Sequence, residues 1–116
     1  MWAIAAVLLF LQSPDYTAEG MKALDAAQYQ QAADSFARAI AVDPKDYAAH
    51  FHLALSYSML KRDPESLVEY KKVLELKPGL YEAELNMGIL LIRDKEPADA
   101  VTCLDQAVEQ LSLIHI

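Results

Sequence analysis

Few residues in this chain have the types and spacing that chemistry requires. Ser58-Met59-Leu60-Lys61 has the S-x-x-K form, in which a lysine assists a nucleophilic serine during acyl transfer. Such a site also needs S-D-N and K-T-G elements, and the sequence contains neither. His50 and His52 are two residues apart, so on a helix they point to different faces and cannot share a metal ion well. We expect neither acyl-enzyme chemistry nor a metal site.

The remaining reactive side chain is Cys103, the only cysteine. A lone thiol beside an apolar stripe acts as a small hydrophobe far more often than as a nucleophile. The sequence has no glycine-rich phosphate loop, no H-E-x-x-H and no C-x-x-C. It therefore predicts no catalytic, cofactor-binding or metal-binding residue, no small-molecule substrate, and a protein that is not an enzyme.

A period of 34 residues organises the chain. Four series of residues keep their size class at this spacing: Gly20, Ala54 and Gly88; Ala32, Ser66 and Ala100; Phe36, Tyr70 and Leu104; Ala39, Val73 and Ala107. Pro44 and Pro78 are separated by the same step. Independent series with one period predict an array of one repeated unit.

Each unit is predicted to contain two helices. First helices are expected over about 14–27, 47–60 and 81–93, and the apolar stripe of residues 30–43 predicts the second helix of the first unit. Gly20 and Gly88 fall within first helices, where glycine costs about 1 kcal/mol relative to alanine. We therefore expect a neighbouring helix to approach closely there. Pro44 and Pro78 should end each unit.

This pattern resembles the tetratricopeptide repeat family over about residues 13–110. The residues that carry the resemblance are Gly20, Tyr29, Ala32, Phe36, Ala39, Asp43-Pro44, Leu53-Ala54, Tyr57, Tyr70, Pro78, Met87-Gly88, Ala100 and Ala107. The resemblance implies an all-α fold of tandem antiparallel helix-turn-helix repeats in a right-handed solenoid. Its three repeats would be 13–46, 47–80 and 81–110, the last incomplete.

The two ends of the chain differ from the repeats. Residues 1–12 begin MWAIAAVLLFL, which as a helix would span about 16 Å and could not cross a bilayer of about 30 Å. They predict a signal peptide of an exported or periplasmic bacterial protein; the alternative is a capping helix of a cytoplasmic one. Residues 111–116, LSLIHI, resemble translated sequencing-adapter read-through, so we expect a non-native tail and a natural protein that continues beyond Gln110.

Function is expected to lie on a surface. A net charge of −7 and a pI near 4.8 argue against nucleic acid and anionic membranes as partners. In the family, first helices line a concave groove, and the resemblance implies a partner-binding groove here. Its predicted residues are Met21, Phe51, His52, Leu55, Met59, Leu85, Asn86, Ile89, Ile92 and Arg93.

Two functions remain open at this stage. Some family members hold a carboxylate with Lys, Asn and Arg, but the corresponding positions here are Thr17, Met21, His52, Glu82 and Asn86, so chaperone tails are not expected to bind. An apolar groove favours a scaffold that binds a peptide or helix of another protein. The alternative is an N-terminal docking or regulatory region of a longer enzyme, such as a transferase or peptidase.

Overall fold

A computed structural model describes residues 14–93 and 97–114. The apolar segment 1–12 and residues 115–116 of the predicted non-native tail lie outside these residues. The described part forms six α-helices and no strand: α1 (Tyr16–Asp25), α2 (Tyr29–Val42), α3 (Tyr47–Met59), α4 (Asp63–Leu76), α5 (Tyr81–Arg93) and α6 (Pro97–Ile114). Each helix packs against the next along the chain. The predicted all-α array of paired helices is confirmed.

Local sequence explains where helices begin. Asp15 precedes α1 and its carboxylate accepts a hydrogen bond from the amide of Ala18 at 3.0 Å. Asp46 caps α3 in the same way, accepting from the amides of Ala48 and Ala49. Pro64 lies in the first turn of α4, where its missing N–H is not needed. The two aspartates satisfy amides that would otherwise lack partners, and the proline removes one such amide.

The turn between the two helices of a unit has the same geometry twice. After α1, the amides of Ala27 and Gln28 donate to the carbonyls of Leu24 and Ala23. After α3, Lys61 and Arg62 repeat these bonds, to Ser58 and Tyr57. This is the Schellman arrangement, which places one residue in the left-handed region. Ala27 has a φ of 57° and Lys61 a φ of 62°, and they are one 34-residue period apart.

The small residues of the first helices allow the paired helix to approach closely, as predicted. A β-carbon on Gly20 would lie 2.7 Å from two ring atoms of Phe36. A β-carbon on Gly88 would lie 2.8 Å from Cγ of Leu104. Phe36 follows Gly20 by 16 positions, and Leu104 follows Gly88 by the same number. The 34-residue period therefore preserves the contact.

The core is a seam between successive units. One cluster of buried residues joins α1, α2 and α3: Ala23, Ala32, Ala33, Phe36 and Leu53. The other joins the last four helices: Ala54, Tyr70, Val73, Ala83, Met87, Leu90, Leu91, Ala100 and Cys103. Each unit therefore buries its apolar stripe against its neighbours, which fixes the relative positions of α1, α3 and α5.

Candidate functional site

The exposed face of α1, α3 and α5, called here the first-helix face, carries large apolar side chains. Five of the predicted groove residues are between 37% and 56% exposed: Met21, Met59, Leu85, Ile89 and Ile92. Contiguous exposed apolar side chains of this kind mark interaction surfaces more often than single ones do. The first-helix face is the candidate binding site.

The period explains why these side chains share one face. Met21, Leu55 and Ile89 are 34 residues apart and each directly follows the small residue at which α1, α3 or α5 packs against its partner helix. Successive residues of a helix differ in direction by about 100°. Burying Gly20, Ala54 and Gly88 therefore turns the next residue of each helix towards the surface.

Between α1 and α3 lies a cavity of about 320 Å³, called here the Met59 pocket. Its lining residues are Met21, Leu24, Asp25, Tyr29, His52, Leu55 and Met59. Most of these side chains are apolar, and the carboxylate of Asp25 lies among them. Four of the ten predicted groove residues, Met21, His52, Leu55 and Met59, are brought together here.

Between α3 and the start of α5 lies a second cavity of about 220 Å³, called here the Glu82 pocket. Its lining residues are Tyr47, Ala48, Phe51, His52, Leu80 and Glu82. His52 lines both pockets, so they are adjacent on one surface. Among residues 14–93 and 97–114, Oε2 of Glu82 is the one buried side-chain oxygen or nitrogen that has no hydrogen-bond partner.

Aromatic rings support the floor between the two pockets. His52 stacks on Phe36 of the preceding unit, with ring centroids 5.3 Å apart, and meets Phe51 edge-on at 5.7 Å. Phe51 in turn meets Tyr70 edge-on at 5.5 Å. Nδ1 of His52 lies 2.8 Å from the carbonyl oxygen of Ala48, so it donates there, and Nε2 is an acceptor in the neutral ring. The positions of these rings are therefore fixed by packing.

Burial raises the pKa of Tyr70 to about 12, although the hydrogen bond from Asn86 acts in the opposite direction. The amide of Asn86 donates to the phenol oxygen of Tyr70 at 3.0 Å. Asn86 is therefore half-buried and engaged within the fold, rather than presented freely to a ligand. Phe51 is similarly shared, since its ring lines the Glu82 pocket and also packs against the core.

Arg93, another predicted groove residue, forms a two-point contact with Asp63. Its Nε lies 2.7 Å from Oδ2 and its terminal nitrogen 2.5 Å from Oδ1, while that same nitrogen lies 3.2 Å from the hydroxyl of Ser58. The hydrogen bond to Asp63 raises the pKa of the Arg93 guanidinium. Arg93 thus ties the end of α5 to the end of α3 and the start of α4.

The two histidines considered as metal ligands have separate environments. His50 is buried against Glu69 and Pro44, whereas His52 is half-exposed and stacks on Phe36. Within the described residues no group of three or more His, Cys, Asp or Glu side chains is arranged to hold a metal ion. Those same residues contain no helix with both the length and the hydropathy needed to span a bilayer.

The other reactive residues are also placed in structural roles. Ser58 accepts a hydrogen bond from Arg93, and Lys61 occupies the left-handed position of the turn. Cys103 is buried in the core, and burial raises the pKa of its thiol, as do Glu84 and Asp99 to a lesser extent. The thiol form is therefore favoured over the reactive thiolate.

Sequence reasoning did not include several residues that line the pockets. Leu24 and Asp25 line the Met59 pocket, and the 34-residue period was a signal for both. Leu24 lies two periods before Ile92, and Asp25 lies one period before Met59. Both Ile92 and Met59 were predicted groove residues. Tyr47 and Leu80 of the Glu82 pocket lie at the start of α3 and just before α5, outside the stretch of helix from which the groove was inferred.

Comparisons with known proteins agree with this architecture. A sequence model of the family described as Tetratricopeptide repeat matches residues 17–81. A curated relative, DnaJ homolog subfamily C member 3 of Rattus norvegicus, is 31% identical over 81 residues. That match covers 70% of this chain and 16% of the relative, so the chain spans about a sixth of the relative's length.

Solved structures show the same fold. MamA superposes with a TM-score of 0.84 at 24% identity, covering 86% of this chain and 58% of that one. The TPR2B domain of yeast Sti1, solved in a complex with pHsp70, superposes with a TM-score of 0.83 at 22% identity. That match covers 87% of this chain and 81% of the Sti1 domain.

Proposed function

The chain belongs to the tetratricopeptide repeat family, and from that premise we propose that it is a non-catalytic interaction scaffold. Its first-helix face holds an apolar peptide or helix of a partner protein. The observations that carry the proposal are the exposed apolar side chains of Leu85, Ile89 and Ile92 on α5 and the two pockets. Apolar side chains of an extended or helical segment would enter such pockets, and burial of apolar area would drive binding.

The partner is not proposed to be a chaperone tail, despite the likeness to Sti1. A C-terminal carboxylate requires positive charge where it docks, and the first-helix face presents Glu82 and Asp25 in its two pockets. Arg93, the cation predicted to lie in the groove, is engaged by Asp63. A carboxylate placed in the Glu82 pocket would be repelled and would lose hydration without compensation.

A display selection tests the proposal. Random dodecapeptides on phage are selected against the immobilised chain, and bound clones are measured against two variants of equal exposure. Ile89→Asp places a charge on the first-helix face, whereas Val68→Asp places one on α4, and both wild-type side chains are 51% exposed. Binding should fall at least about tenfold in Ile89→Asp and stay within about twofold in Val68→Asp, because a charge facing an apolar ligand is buried without a partner.

Both variants should keep the melting temperature of the wild type, since neither side chain belongs to the core. Phe51 is unsuitable for this test because its ring packs against Tyr70, so a charge there would also destabilise the fold. Selection of no peptide, or equal loss in both variants, contradicts the proposal.

A second function rests on the comparison of lengths. The relative from Rattus norvegicus is much longer than the aligned segment, so the same face could serve as a docking region within a larger protein. Sequencing the transcript across codon 110 tests this alternative. An open reading frame that continues into a catalytic domain would support the docking role, and a stop codon after Ile116 would contradict it.

A further inference from the structure

We propose that the Glu82 pocket takes a lysine or arginine side chain of the bound segment, while neighbouring apolar side chains lie along α5 and in the Met59 pocket. The inference rests on the proposed function, because it specifies the chemistry of the segment that the first-helix face holds. Three observations support it: an unpartnered carboxylate oxygen, the character of the surrounding side chains, and the distribution of charge.

The carboxylate of Glu82 is incompletely satisfied. Its Oε2 is buried and has no hydrogen-bond partner in the described structure, and Glu82 is one of the residues that line a pocket open to the surface. A carboxylate oxygen in that position has lost hydration without gaining a donor, which is unfavourable. A charged donor from a ligand would compensate the loss best, since charge-assisted hydrogen bonds are the stronger kind.

The rest of the pocket suits a cation better than an anion. Tyr47 and Phe51 contribute aromatic rings, and the face of such a ring attracts ammonium and guanidinium groups. His52 uses its Nδ1 hydrogen on the carbonyl of Ala48, so that hydrogen is not available to an anion in the pocket. The apolar walls, including Leu80, would pack against the methylene groups of a long basic side chain.

The rim of the pocket already accommodates an ammonium group. Nζ of Lys77 lies 4.9 Å from the ring centroid of Tyr47. In the described part of the chain Lys77 forms no ion pair with Glu82, so the carboxylate is still available to a ligand. Asp25 gives the Met59 pocket a second carboxylate, and the net charge of −7 would speed encounter with a basic segment.

The test compares selected sequences between the wild type and a neutral isostere. Random dodecapeptides on phage are selected against the wild type, against Glu82→Gln, and against Glu75→Gln as a control. Glu75 is exposed on α4 and lines neither pocket, so the control removes one negative charge elsewhere. Peptides selected by the wild type and by Glu75→Gln should be apolar and enriched in Lys or Arg, and this enrichment should disappear with Glu82→Gln.

Affinity measurements with one selected peptide make the test quantitative. The peptide is synthesised with its basic residue and with norleucine in that place, and both forms are titrated by calorimetry. Glu82→Gln should weaken binding of the basic peptide about tenfold or more and leave the norleucine form within about twofold. Glu75→Gln should change neither by more than about twofold.

The outcomes separate this inference from the proposed function. Apolar peptides without basic residues, or a basic peptide whose affinity is insensitive to Glu82→Gln, would overturn the inference and leave the scaffold function standing. Selection of acidic peptides would also overturn it. Recovery of no peptide that is sensitive to Ile89→Asp would overturn both. If the two glutamine variants have equal melting temperatures, a loss of binding in Glu82→Gln is not caused by unfolding.

Discussion

Nδ1 of His50 lies 2.7 Å from Oε2 of Glu69, and Nε2 of the same ring lies 2.8 Å from the carbonyl oxygen of Pro44. A carbonyl can only accept, so Nε2 carries a hydrogen, and the contact with Glu69 needs a second one between the two groups. The pair is therefore neutral as a unit. It joins α3, α4 and the segment that precedes α3.

The positions of His50 and Glu69 recur in the other two units, where they hold different side chains. Tyr16 and Ser35, His50 and Glu69, and Glu84 and Cys103 are each 19 residues apart and differ by one period. Burial raises the pKa of the Glu84 carboxyl, and Glu84 helps to raise that of the Cys103 thiol. The two positions that hold the His50–Glu69 pair are therefore occupied by different side chains in each unit.

We expect Glu69→Leu to lower the free energy of unfolding by about 3–5 kcal/mol, because it leaves the buried imidazole of His50 without its partner. The double variant His50→Leu with Glu69→Leu should be much less destabilised, since no polar group is then left unpaired. Urea unfolding of the two single variants and the double variant measures the coupling.

Lys72→Met is the matched control for the outer contact of the same carboxylate. Nζ of Lys72 lies 3.2 Å from Oε1 of Glu69 and is half-exposed, so its loss should cost less than about 1 kcal/mol. Additive losses in the His50 and Glu69 variants would show that the two side chains do not interact.

Gly20→Ala should destabilise the fold by about 1–3 kcal/mol, although alanine favours helix formation by about 1 kcal/mol. The reason is the 2.7 Å approach of the new β-carbon to the buried ring of Phe36. Ala54→Gly, at the equivalent position of the next unit, should also destabilise by about 1 kcal/mol or more. A gain in stability for Gly20→Ala in chemical denaturation would rule out the close approach.

Ala27→Gly and Lys61→Gly should each raise the free energy of unfolding by about 1 kcal/mol. Both residues have positive φ values, which glycine adopts without the steric cost that a β-carbon imposes. Ala37→Gly, in the exposed middle of α2, is the control and should lower stability by about 1 kcal/mol. Thermal and urea unfolding would check the opposite signs, and a shared sign would contradict the assigned turn geometry.

Alkaline pH should destabilise the fold through Tyr70. Because burial raises its pKa from 10.0 to about 12, the folded state keeps the phenol proton where the unfolded state releases it. The contribution of this shift to the free energy of unfolding is fully present below pH 10 and is lost as pH rises towards 12. It amounts to about 2–3 kcal/mol, at 1.36 kcal/mol per pKa unit.

The free energy of unfolding of Tyr70→Phe should therefore depend less on pH than that of the wild type across that range. Urea unfolding at several pH values measures this dependence. Tyr81→Phe serves as the control, because Tyr81 is half-buried at the start of α5 and outside the core clusters. Equal pH sensitivity of the wild type and Tyr70→Phe would contradict the assignment.

The repeat architecture was predictable because it depends on spacing. Gly20 and Phe36, or Gly88 and Leu104, recur at one interval, and any regular array brings residues at a fixed interval into equivalent contacts. Helix ends near Pro44 and Pro78 followed from covalent geometry at proline. Met59, Ile89 and Ile92 were placed in the groove by the resemblance to the family, and all three side chains are exposed.

The use of individual polar side chains was not predictable in this way. Arg93 was expected to face a ligand but bonds to Asp63, which is 30 residues away, and Asn86 donates to Tyr70, 16 residues away. Neither hydrogen bond repeats with the period. One period before Asn86 and Tyr70, His52 stacks on Phe36 instead, and the residues one period before Arg93 and Asp63 are Met59 and Tyr29. The spacing of residues along the chain predicts which face of a helix a residue occupies. It does not predict which polar group becomes the hydrogen-bond partner of its side chain.

The sequence by itself therefore determined the all-α repeat fold, its core and the apolar face of α1, α3 and α5, because these depend on periodic burial of apolar side chains. The tertiary structure alone decided which polar groups are satisfied. It paired His50 with Glu69, engaged Arg93 with Asp63, and left Oε2 of Glu82 buried without a donor. Hydrogen bonds are short and directional, so they depend on the relative placement of whole helices, which the spacing of residues along the chain does not specify.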